Sequence, residues 1–215
     1  MRFVVQSAGM ESNWAAEHLQ VIRTLMERSA LYRRALAPIM IFAGLAGVIA
    51  AGVGCGAHIA SGRAFALYWL AVAAVTLAGV SLLVRRQALK DREAFWSLPT
   101  RRVTQAAALP LAAGLVFSLV LLLLDVGHMR WLFIFPNLFF YACALHAAGF
   151  FMSRGIRLFS WGLIVLGGLS LVLIPRFQTE PNPVLDHVVM GCFFGGLHLA
   201  YGVYLYFTEP RRNAT

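Results

Sequence analysis

Two histidines, His146 and His198, are the residues whose type and setting point most directly to chemistry. Each falls inside a long apolar run, about 15 and about 11 residues from the same end of its run, so at 1.5 Å per residue their depths differ by roughly 6 Å. Two imidazoles on separate helices at similar depth suit a b-type haem or a transition metal. No CxxCH, no HxxxH and no carboxylate adjoins either histidine. The plainer reading, which the sequence favours, is an imidazole hydrogen-bonded to a neighbouring helix. A second group, His58, Asp125, His128, Asp186 and His187, comes from three connections at one end of the apolar runs. These side chains suit either nitrogen and oxygen ligation of a metal or ordinary polar positions at headgroup level, and the second is favoured. Asp186 also suits a helix N-terminus, where its charge offsets the dipole.

No Asp, Glu, Lys or Arg lies deep in any apolar run. Ion-coupled carriers usually place one near the midplane, so this absence weighs against ion-coupled transport. There is no P-loop, dinucleotide fingerprint, GxSxG or HExxH. No catalytic residue is assigned, no metal set is assigned, and a non-enzymatic protein without a resident cofactor is expected. Cys55, Cys143 and Cys192 sit within apolar runs at no metal-binding spacing, so they are expected to pack as small apolar residues.

The elements that must position these side chains follow from composition. Of 215 residues, 60% are hydrophobic and 13% charged, with a mean hydropathy of +0.74. A chain so poor in polar groups suits lipid as its solvent. Crossing a hydrocarbon core of about 30 Å takes about 20 apolar residues. Six runs qualify: 37–57, 64–84, 105–124, 131–152, 158–175 and 187–207. Pro136–Asn137 predicts a kink in the fourth, and Pro181 and Pro183 are expected to break helix formation before the sixth. Small residues recur at four-residue steps in the first run (Ala43, Gly47, Ala51) and the last (Cys192, Gly196, Ala200). Such rows let helix backbones approach closely.

Lys and Arg set the expected orientation. With the N-terminus in the cytoplasm, fifteen of the eighteen fall on the cytoplasmic side, and only Arg63, Arg130 and Arg176 fall outside. The net charge of +9 is therefore read as positive-inside bias, and nucleic acid is not expected as a partner. Segment 85–105 holds six of the cations and joins spans two and three. In it Phe95, Trp96, Arg101 and Arg102 are expected to anchor at the membrane interface, and Pro99 to separate a short surface helix from span three.

Residues 1–36 form a cytoplasmic segment with an amphipathic helix from Ser12 or Asn13 to about Arg34. Trp14, His18, Ile22, Leu25, Ser29 and Tyr32 recur on one face at three- and four-residue steps. Residues 208–215 form a cytoplasmic tail. The expected fold is all-α: a polytopic membrane bundle of six transmembrane helices over 37–207 plus the N-terminal helix. The expected partners are the lipid bilayer and, through that helix and the 85–105 loop, another protein or a second copy. Three functions follow: a non-enzymatic regulatory, scaffold or accessory subunit acting through its cytoplasmic face; a small-solute or lipid transporter; and a haem or metal redox protein using His146 and His198. The first is preferred.

The sequences AEHLQVIRTLMERSALYRR (16–34), FWSLPTRR (95–102) and HAAGFFMSRGIRLFSW (146–161) resemble a group of uncharacterised bacterial multi-span inner-membrane proteins. The resemblance implies a bacterial inner-membrane location and carries no site residues with it.

Overall fold

A computed structural model describes residues 36–90, 92, 94–124, 130–177 and 182–208. The expected amphipathic helix in residues 1–36, together with Asp125 and His128, lies outside them. The described residues form six helices, each long and apolar enough to cross a membrane: α1 (Leu36–Gly56), α2 (Gly62–Lys90), α3 (Leu98–Leu123), α4 (Arg130–Ala148), α5 (Arg154–Phe177) and α6 (Pro183–Thr208). Among the described residues there is no strand. The chain is an all-α bundle.

The helices do not stop where the apolar runs stop. α2 continues six residues past 84, because Arg85, Arg86, Gln87, Ala88, Leu89 and Lys90 all favour helix. Polarity ends burial in lipid without ending the helix. Pro99 does not separate a surface helix from span three. It sits in the first turn of α3, where a missing N–H costs no hydrogen bond. The 85–105 connection thus shrinks to 91–97. Pro183 likewise opens α6 instead of breaking it. Asn182 caps that end, its Oδ1 accepting from Val184 N (3.0 Å) and Leu185 N (3.3 Å). The sixth helix therefore begins four residues before its apolar run, which brings Asp186 and His187 inside it.

α1 ends in a Schellman turn. Ile59 N reaches Gly54 O (3.3 Å), His58 N reaches Cys55 O (3.2 Å), and His58 takes φ 51°. The left-handed residue is a histidine where glycine is usual. This turn folds the chain back across the end of the bundle.

The first and last helices pack backbone to backbone in antiparallel register. Gly54 faces His187, Ala51 faces Gly191, Gly195 faces Gly47 and Val48, Gly44 faces Leu199, and Gly202 faces Ile41. A Cβ on Gly195 would lie 2.6 Å from Val48 N, and one on Gly202 would lie 2.7 Å from Ile41 N. Both are closer than atoms can approach, so these glycines are required by the contact. Gly52 and Gly56, on another face of α1, meet nothing within 4 Å. α2, α3 and α5 bury fewer of their side chains than α4 and α6. Their exposed Val75, Leu82, Leu109, Leu115, Val165 and Leu169 give the bundle the apolar exterior that fits lipid contact.

Candidate functional site

Three buried polar clusters are built from these helices. The largest is at the end where α1 turns into α2 and where α4 and α6 begin. Arg130, the first residue of α4, donates from Nε to Asp186 Oδ2 and from Nη1 to Ala60 O (2.7 Å). Beside it, His187 is 1% exposed. Its Nδ1 accepts from Trp69 Nε1 (3.2 Å), so its proton is on Nε2 and is donated to Ile59 O (3.1 Å). Phe65 and Tyr68 pack on the same imidazole, with ring centroids 4.8 and 5.8 Å away. Tyr68 in turn donates to Ala50 O (2.6 Å). The Schellman turn explains the arrangement: it aims the carbonyls of Ile59 and Ala60 at one imidazole and one guanidinium. Asp186 Oδ1 is buried without a hydrogen-bond partner.

The second cluster surrounds His198. Residues Gly191–Gly196 form a π-helical turn inside α6, in which Leu197 N bonds Cys192 O. His198 lies just after it. Its Nδ1 donates to Phe193 O (3.0 Å), and its Nε2 accepts from Tyr141 on α4 (2.7 Å). Phe159 of α5 meets the ring edge to face at 4.9 Å. The widened turn lies opposite Gly47 and Ala51, where small residues leave room for it.

The third cluster joins α3 to α4. Asn137 Nδ2 donates to Phe133 O (2.8 Å), while its Oδ1 (3.0 Å) and Gly114 O (2.8 Å) share the single hydroxyl proton of Ser118. Pro136 removes the N–H that would bond Leu132 O, and the amide of Asn137 bonds the carbonyl next to it. α4 continues through the proline.

The candidate ligands from the sequence are engaged by different partners. His146 pairs with Ser160 of α5 (3.2 Å), and Ser160 donates to Arg157 O (2.7 Å). His198 has both ring nitrogens engaged by Tyr141 and Phe193. While those bonds hold, it has no lone pair for iron or another metal. The His146–His198 cofactor site does not fit this bonding. Of the five outer residues, Asp186 and His187 come together in α6. His58 is an exposed turn residue, and Asp125 and His128 are outside the described residues. Among the described residues no group of three or more His, Cys, Asp or Glu is placed to hold a metal. Phe95 and Trp96 are exposed, with ring centroids 6.5 Å apart, and Arg101 and Arg102 are exposed beside them.

Sequence reasoning missed Arg130 and Trp69. Arg130 was visible only as a charge that opposed the positive-inside count, and Trp69 as one apolar residue among many. One signal was available: Arg130 and Asp186 both flank apolar runs at the same end of the bundle, where opposite charges can pair. No protein-family model, no curated protein and no solved structure matches this chain.

Proposed function

We propose that this chain is a multi-pass protein of the bacterial inner membrane with both termini cytoplasmic. In this reading it acts as a non-enzymatic regulatory, scaffold or accessory subunit through its cytoplasmic face. One observation carries the reading. Buried polar side chains on α2, α4 and α6 are bonded to one another or to backbone carbonyls, so they hold the bundle together. Among the described residues, Arg85, Arg86, Lys90, Arg92, Arg101 and Arg102 all stand exposed at the α2–α3 end. The charge bias supports cytoplasmic placement of that end. It is strengthened because Arg130, one of the three cations on the other side, is neutralised by Asp186.

Deleting residues 1–36 tests the partner role. Loss of co-purifying protein from cross-linked membranes supports it, and unchanged recovery counts against it. A reporter fused after Thr215 tests orientation: activity confined to the non-cytoplasmic side would refute it.

The π turn of α6 favours a second reading, a small-solute or lipid transporter, because interrupted helices build transport sites. Flux assays in liposomes separate the two. Transport by the purified protein would replace the accessory reading.

A further inference from the structure

The α2–α3 end has a geometry that its sequence alone did not reveal. α2 has 29 residues, a length of about 44 Å at 1.5 Å per residue. The hydrocarbon core of about 30 Å takes about 20 of them. With Arg63 at the opposite surface, the core is used up near residue 84. The next two turns, carrying Arg85, Arg86 and Lys90, fall in the headgroup layer. Residues 91–97 then return the chain to α3, with Arg92 at φ 53° and its N–H on Leu89 O (3.3 Å). So short a return cannot lift side chains clear of the lipid surface. Arg101 and Arg102, in the first turns of α3, come back to the same level.

Charge and polarity at this level are mixed in one particular way. Segment 85–105 holds six cations and two acids, Asp91 and Glu93. Among the cations stand exposed Leu89, Phe95, Trp96 and Leu98. A face meant for a soluble acidic partner would need to stand away from the membrane, and it would expose Trp96 to water. At headgroup depth the same side chains are well placed: aromatic rings lie in the interface and the cations reach phosphate.

We propose that the α2–α3 turn binds anionic phospholipid headgroups, with Arg85, Arg86, Lys90, Arg92, Arg101 and Arg102 taking the phosphates and Phe95 and Trp96 seated between them. This rests on the cytoplasmic placement proposed above, since the cytoplasmic leaflet carries the negative surface potential. It also divides that face: the turn is held on lipid, and protein recognition is left to the segment before α1.

Native mass spectrometry of the full-length protein in detergent tests this. The protein is dosed with phosphatidylglycerol and with phosphatidylcholine of matched chains, and separately with inorganic phosphate. The wild type should retain phosphatidylglycerol in preference by on the order of tenfold. The variant carrying R85Q, R86Q, R101Q and R102Q should lose that preference, and the pair R101Q and R102Q alone should weaken it, which guards against misfolding of the fuller variant. Equal retention of both lipids by the wild type, or an unchanged preference in both variants, overturns the proposal. Displacement of the lipid by millimolar inorganic phosphate would assign the surface to a soluble anion and also overturn it. So would a protein partner lost in these variants while lipid retention is unchanged. Lipid retention in detergent is independent of orientation and of residues 1–36, so its failure is distinguishable from failure of the accessory reading.

Discussion

Arg130 illustrates how one residue can matter more than its count among the charges. It and Asp186 are both buried, and their desolvation is offset by each other and by Ala60 O. Arg130→Met would leave a buried carboxylate without its counter-ion, a loss of about 3–5 kcal/mol. Adding Asp186→Leu should restore most of it, because two apolar groups leave no charge stranded. Unfolding curves of both variants in the same detergent check this; equal loss in single and double variants would refute it. Tyr141→Phe is milder. It removes the hydroxyl donated to His198 Nε2, and interhelical bonds of this kind in membranes are worth about 0.6–1.7 kcal/mol. His58→Gly should act in the opposite direction. It relieves a left-handed residue at the end of α1 and should stabilise by about 1 kcal/mol, read as a raised melting temperature. These sites were only partly legible. The types His, Asp and Asn were correctly marked as unusual in an apolar chain. Their partners were not legible, because Trp69, Tyr141 and backbone carbonyls carry no signal that pairs them across 118, 57 or 128 positions.

At the level of helices, glycine position decides more than glycine number. Gly195→Ala would drive a methyl into Val48 N, a backbone atom that cannot swing aside. Overpacking of this sort costs about 1–3 kcal/mol or more. Gly52→Ala, which meets nothing within 4 Å, should be tolerated or slightly stabilising through helix propensity. Comparing the folded yield and melting temperature of the two variants checks the assignment; similar damage from both would sink it. The rows of small residues in the first and last runs were legible as close-packing faces. That they pack on each other, and which glycine faces outward, was not, since periodicity gives a face but no partner. Helix ends were less legible than helix number. Hydropathy marks where lipid contact stops, whereas the helix itself ends where caps such as Asn182 and turns such as that at His58 end it.

For the whole molecule, six spans and an all-helical bundle follow from hydropathy and length alone, and the described residues form six helices long and apolar enough to cross a membrane, with no strand among them. The lipid-facing exterior was legible for the same reason: composition determines what solvent the surface tolerates. The π turn of α6 was not legible, because GCFFGG has no pattern that separates a wide turn from a regular one. It takes its shape from the neighbours it meets, Gly47 and Ala51, which are about 145 residues earlier.

The pairing of α1 with α6 also sets a timetable for assembly. Gly44 and Leu199 are about 155 residues apart in the chain, so at about 5–20 residues per second α1 waits roughly 8–30 s for its partner to be synthesised. During that interval its glycine face is open to lipid or to other nascent helices, and Arg130, once made, lacks its counter-ion until Asp186 follows 56 residues later. Closure of the bundle is thus coupled to synthesis of α6. A chain stopped after residue 182 should insert its earlier spans and yet be cut rapidly by membrane proteases, while adding back 183–208 as a separate peptide should slow that cleavage. Pulse-chase decay of the two chains measures this, and equal lifetimes would show that α1 finds its place without waiting.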